Sequence, residues 1–127
     1  MPAARVLVIE DQTYLRDILV EIFGEFGYAA VGSSDPREAL SQLASIRPSL
    51  IVLDMWMPTM NGRAFIERLR ADARFVDLPV LIVSGDRSIR LEGPAYRHVE
   101  FLMKPFEAST LVDRARALIG PSLPATA

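Results

Sequence analysis

Cysteine is absent from this chain, and lysine, histidine and tryptophan occur once each. Without cysteine there is neither a disulfide framework nor a thiolate metal site. No apolar stretch reaches the roughly 18 residues of a membrane-spanning helix. The first strand-like run begins at Arg5, too early for a secretory leader to precede it, so the expected location is the cytoplasm. Basic charge is also short: the net charge is −2. Nucleic acid is therefore not an expected direct partner, because neutralising phosphates needs a basic face. Of the fourteen basic residues only Lys104 is a lysine, and it ends the short run Phe101-Leu102-Met103-Lys104-Pro105-Phe106. Lysine is a compact point charge and arginine a planar fork, so one lysine kept at a strand end suggests a site for a single ammonium. Chance within an arginine-rich composition is the competing explanation.

What is present reads as one ordinary globule. The chain has 127 residues, 50% of them apolar and 24% charged. That length buries roughly two-thirds of the unfolded surface and suits a single domain. The expected domain spans 1–121, and the small, proline-containing tail 122–127 is expected to be disordered. Strand-like and helix-like stretches alternate throughout. Arg5 to Glu10 is too apolar for a strand with one wet face and reads as a central parallel strand. Leu15, Ile18, Leu19, Ile22, Phe23 and Phe26 then mark one face of a helix that ends near Gly27. A short strand, 28–32, precedes a helix opened by Asp35-Pro36-Arg37-Glu38 and stopped by Pro48. A third strand runs from Leu50 to Asp54, and a third helix carries Phe65, Ile66 and Leu69. Strands over 78–84 and 99–103 and a last helix over 107–119 complete the pattern.

The segment 86–98 is the weakest element. It contains Gly93-Pro94, and a proline inside a helix costs about 3 kcal/mol. A short, distorted or mobile helix and a regular one ending at Glu92 are both compatible with it. Five βα units, (βα)5, imply a doubly wound parallel α/β sheet with helices on both faces and strand order 2-1-3-4-5. Ligands in such sheets bind beyond the carboxyl ends of the strands.

Four of those ends carry a distinctive polar group. Glu10 and Asp11 follow the first strand, Asp54 ends the third, Ser84 the fourth, and Lys104 follows the fifth. Carboxylates brought within about 5 Å of one another repel by a few kcal/mol per pair, so a cation must join them if all are to stay ionised. Oxygen ligands without histidine or cysteine favour a hard cation, Mg²⁺ above all. Lys104 and the Ser84 hydroxyl are placed to hold an incoming anion. Asp54, alone on the central strand, is the candidate nucleophile, and carboxylates that accept phosphoryl groups are known chemistry.

Taken in order, Val6-Leu7-Val8-Ile9-Glu10-Asp11, Leu53-Asp54-Met55-Trp56-Met57-Pro58-Thr59-Met60-Asn61-Gly62, Val80-Leu81-Ile82-Val83-Ser84-Gly85 and Phe101 to Phe106 resemble a response-regulator receiver domain of two-component signalling. The resemblance covers residues 5 to about 119. It implies that Asp54 is the phosphoacceptor, served by a sensor histidine kinase or a histidine phosphotransfer protein. Asp11 resembles the direct Mg²⁺ ligand and Glu10 the acid that binds the ion through water. Trp56 resembles the position whose backbone carbonyl completes the metal shell. Ser84 and Phe101 resemble the switch pair, Lys104 the phosphoryl-binding lysine, and Pro105 the proline after a cis bond. Autodephosphorylation would return the protein to its resting state. The implied output, to an unidentified downstream protein or through a homodimer, uses the face of the fourth helix, fifth strand and last helix. The short tail leans toward a standalone regulator over an excised receiver.

Several positions depart from the family. Glu10 stands where an aspartate is usual, and Trp56 is bulky. Trp56 either shields the acyl phosphate from water or is an indole with no kinetic role. Asp86, on the same rim, either orients that water or sits in solvent. Phe101 lacks a hydroxyl, and it is either a mobile switch aromatic or a static core residue. His98 reads as solvent-facing, and Met55, Met57, Met60 and Met103 as packing. The competing function is an unphosphorylated, receiver-like interaction scaffold; the intact acids, Ser84 and Lys104 argue against it. A haloacid-dehalogenase-like phosphatase expects Asp-x-Asp after the first strand, and Glu10-Asp11-Gln12-Thr13 does not supply it.

Overall fold

The computed structural model describes residues 3–89 and 93–120. Five strands, β1 (Arg5–Ile9), β2 (Ala29–Ser33), β3 (Leu50–Asp54), β4 (Val80–Ser84) and β5 (Val99–Met103), form one parallel sheet in the order β2-β1-β3-β4-β5. Helices α1 (Thr13–Glu25), α2 (Pro36–Ile46), α3 (Gly62–Ala71) and α4 (Ala108–Ile119) cover its two faces. The alternation of side chains along β1 separates two cores. Leu7 and Ile9 pack with α2 and α3, while Val6 and Val8 pack with α1 and α4. Residues 6–9 are fully buried, which explains why β1 carries no polar alternation.

The (βα)5 expectation needs one correction: the described residues contain four α-helices, not five. Between β4 and β5 the helical structure among the described residues is a 3₁₀ turn, Pro94–Tyr96. Gly93 at φ 106° and His98 at φ 60° bracket it, and neither angle belongs to a right-handed helix. Residues 86–89 are turn rather than helix, so the regular helix over this segment is not formed there. Residues 90–92 and the expectation for the 122–127 tail lie outside the described residues. Among the described residues no helix is long and apolar enough to cross a membrane.

Local chemistry places the strand-end loops. Asp35 Oδ1 accepts from the Arg37 amide at 2.9 Å, and Pro36 occupies the first turn of α2. Asn61 Oδ1 caps α3 through the Ala64 amide at 3.0 Å. Thr59 Oγ1 donates to Asp35 Oδ1 at 3.2 Å, so the loop after β3 is tied to the start of α2. The same loop closes at Gly62, whose amide donates to the Met55 carbonyl at 2.7 Å. A Cβ there would lie 2.7 Å from Met55 Sδ, which is why glycine is needed at that position. Met55, Met57 and Met60 are buried and act as packing beneath the loop.

Candidate functional site

The carboxyl ends of β1 and β3 bring Glu10, Asp11 and Asp54 together: one carboxylate oxygen of each lies within 4.8 Å of the others. Their environments differ. Glu10 is only 1% exposed, Asp54 is half-buried and Asp11 is exposed. Glu10 Oε2 accepts from the Gln12 amide at 3.1 Å, while Glu10 Oε1 is buried without a hydrogen-bond partner. Among the described residues, the cation within salt-bridge distance of the Glu10 carboxylate is the Lys104 ammonium, 3.9 Å from Oε1. Burial pushes the Glu10 carboxyl up to about 7. The Gln12 amide opposes this; the Asp11 carboxyl and the Asp54 charge reinforce it, and Lys104 pulls it back. An orphaned buried carboxylate oxygen beside two further carboxylates fits a hard divalent cation, whose charge would satisfy what one ammonium at 3.9 Å does not.

Ser84 and Lys104 flank the acids from β4 and β5. Ser84 is 2% exposed, and its Oγ accepts from the Asp86 amide at 3.1 Å. Among the described residues its hydroxyl proton has no acceptor, which leaves it available for an anion. The Lys104 amide donates to the Ser84 carbonyl at 2.9 Å, locking the two strand ends together. The Lys104–Pro105 peptide is cis. Phe101 is half-buried and packs against the core shared with α2 and α3. His98 is partly exposed, with Nε2 3.3 Å from Asp77 Oδ1, away from the acids.

The rim is more organised than the sequence suggested. The Trp56 amide donates to Asp54 Oδ1 at 3.3 Å. Trp56 is 52% exposed, and its indole Nε1 donates to Asp86 Oδ2 at 3.2 Å. Asp86 is itself held by the Ser88 amide at 2.8 Å and the Ser88 hydroxyl at 2.6 Å. Those two donors, with the indole, hold the Asp86 carboxyl below its ordinary range. The loops after β3 and β4 are thus bridged beside Asp54. Sequence reasoning named Trp56 and Asp86 separately and missed their bond, because they stand thirty residues apart. It also missed Arg16, whose Nη1 donates to the Glu10 carbonyl at 3.0 Å. Its place in the first turns of α1 was the only available signal.

A family model for the response regulator receiver domain matches residues 6–116. Among curated relatives, Response regulator MprA of Mycolicibacterium vanbaalenii is 34% identical over 94% of this chain and 52% of its own length. The phosphate regulon transcriptional regulatory protein PhoB of Escherichia coli is 30% identical over 92% of this chain and 52% of its own. The chain therefore spans about half the length of these curated relatives. Among solved structures, the chemotaxis protein CheY4 of Vibrio cholerae aligns with a TM-score of 0.83 and 28% identity, over 91% of this chain and 98% of that one. A putative response regulator from Chloroflexus aurantiacus aligns with a TM-score of 0.84 and 26% identity, over 92% and 98%.

Proposed function

The chain belongs to the response-regulator receiver domains of two-component signalling, and from that premise we propose that it accepts a phosphoryl group on Asp54 from a partner's phosphohistidine. An Asp54 carboxylate oxygen attacks phosphorus as the P–N bond breaks, and the departing imidazole keeps the bond's electrons and takes up a proton. Lys104 holds one phosphoryl oxygen by charge, and Ser84 donates its hydroxyl proton to another. Asp11 and Asp54 would hold Mg²⁺ directly, with Glu10 acting through water and Trp56 contributing its backbone carbonyl. When bound, the cation supplies charge neutralisation to the phosphoryl oxygens. The observation that carries this reading is the meeting of three carboxylates within 4.8 Å beside a single ammonium and an orphaned buried oxygen.

The added charge would draw Ser84 inward and reposition Phe101, altering the surface of β5 and α4. That surface includes a groove lined by Phe101, Met103, Phe106 and Arg114. We assign output to protein contact there, with a downstream partner or a second copy, and place the protein in the cytoplasm on the family resemblance. The chain spans nearly the whole of the chemotaxis protein but only about half of the curated relatives, so a single-domain regulator and a receiver within a longer protein are both consistent with these matches. Intact mass of the protein isolated from its source distinguishes the two.

Incubation with acetyl phosphate and Mg²⁺ should give a phosphoryl adduct by intact mass, not formed when a chelator is present from the start and absent from Asp54→Asn. If neither acetyl phosphate nor a competent kinase yields an adduct, the unphosphorylated scaffold is the better reading. The Trp56–Asp86 bridge supports a protective role for the indole against water. Losing one such partly exposed hydrogen bond, worth about 1 kcal/mol, corresponds to roughly five-fold faster autodephosphorylation in Trp56→Asn. An unchanged rate removes the shielding role.

A further inference from the structure

The least regular described segment, 93–98, is held by an unusual set of contacts. A strap that replaces a helix leaves its last carbonyls without intrahelical partners. Here Arg70, on α3, supplies them. Its Nη2 donates to the Arg97 carbonyl at 2.7 Å, its Nε to the Ala95 carbonyl at 3.3 Å, and its Nη1 to the Phe75 carbonyl at 2.7 Å. One guanidinium thus joins α3, the 3₁₀ turn Ala73–Phe75 before β4 and the strap before β5. Arg70 is half-buried and, among the described residues, forms no salt bridge; the nearby Asp77 charge and these three carbonyls offset its desolvation. Arg63, also on α3, adds a longer contact to the Tyr96 hydroxyl at 3.4 Å.

The clamp reaches the switch face by a short route. Immediately after Arg97, His98 turns left-handed at φ 60°, and its carbonyl accepts from the Val80 amide at 2.9 Å. Val99 then begins β5, and Phe101 stands two residues on, both packed against the core that α2 and α3 cover. Fixing the Arg97 carbonyl therefore fixes where β5 starts and which way its inward residues point.

We propose that Arg70 is a positioning residue of the switch: from α3 it caps the strap 93–98 in trans and sets the resting position of β5 and Phe101. The switching part of this proposal rests on the phosphoacceptor reading; the capping part does not. Three separate nitrogens, Nε, Nη1 and Nη2, each meet one carbonyl; lysine gathers its donors on a single nitrogen, so at this position it keeps the charge but not the spread of the clamp.

The test is amide hydrogen exchange on the whole chain, for the unsubstituted protein and Arg70→Lys, with and without Mg²⁺ and beryllofluoride as a phosphoryl analogue. Exchange over 95–101 should rise at least ~10-fold in Arg70→Lys while β1 and β3 are unaffected. The analogue-induced change over 99–103 should shrink at least ~3-fold, although Asp54 still takes up phosphoryl from acetyl phosphate. Unchanged exchange over 95–101, an even rise across the chain, or a full analogue response in the variant overturns the proposal. If Arg70→Lys loses its cooperative thermal transition, Arg70→Gln is measured instead against the same outcomes. Should the unsubstituted protein give neither adduct nor analogue response, the phosphoacceptor reading falls and takes the switching part with it. A selective rise over 95–101 still supports the cap.

Discussion

Glu10→Gln is expected to stabilise the protein above neutral pH when no divalent cation is present. Burial raises the Glu10 carboxyl from its ordinary value of 4.5 to about 7, so the folded state binds this proton more tightly than the unfolded chain does. The corresponding stability is fully present below about 4.5 and is lost as pH rises through about 7. The difference is worth roughly 3 kcal/mol at most. Urea unfolding with a chelator at pH 5 and pH 8 reads it directly. The unsubstituted protein should lose stability relative to Glu10→Gln across that interval. Millimolar Mg²⁺ should restore much of it at pH 8, since a ligand that binds only the folded state stabilises that state. Parallel pH profiles for the two proteins would show that Glu10 is ionised without strain and that its orphaned oxygen has another partner.

Lys104→Arg is expected to preserve charge and fold yet impair the response to phosphorylation. The ammonium sits 3.9 Å from Glu10 Oε1, close enough to offset charge but too far for a hydrogen bond. A guanidinium on a longer reach would pair in bidentate fashion with the acids it now only neighbours. Its planar fork would then be committed to the resting cluster instead of to a phosphoryl oxygen. We expect adduct formation from acetyl phosphate to persist and the analogue-induced change in amide exchange over 99–103 to fall at least ~10-fold, about 1.4 kcal/mol of coupling. The single tryptophan gives an independent readout, because Trp56 contacts both Asp54 and Asp86. Normal phosphorylation together with a normal response would leave Lys104 as one basic residue among fourteen.

Much of the architecture was legible because local and global signals agree. The buried β1 run, the Asp35-Pro36 cap and the helical spacing from Leu15 to Phe26 each identify their element. Observed boundaries differ from the expected ones by a residue or two: β2 is Ala29–Ser33 and β4 begins at Val80. These are shifts at frayed element ends. The segment 86–98, read as the weakest element, is where the helix count departs from (βα)5 among the described residues. Gly93-Pro94 warned of it, but nothing local could show that the α3 residue Arg70 would supply the carbonyl partners a helix would otherwise have provided.

For the acids the division is equally physical. Residue type and position at strand ends were enough to name Glu10, Asp11, Asp54, Ser84 and Lys104, because a parallel sheet carries all such ends to one edge. Burial is a different matter, since it depends on everything packed around a residue. Adjacent acids therefore read alike in the chain, yet Glu10 is sealed while Asp11 is exposed. Only folding separates them, and only folding joins Trp56 to Asp86 and Arg70 to the strap. Order along the chain settles alternation, topology and chemical inventory. Desolvation and long-range hydrogen bonds exist only once distant segments meet, and they decide which oxygen is left unsatisfied and which loop is held.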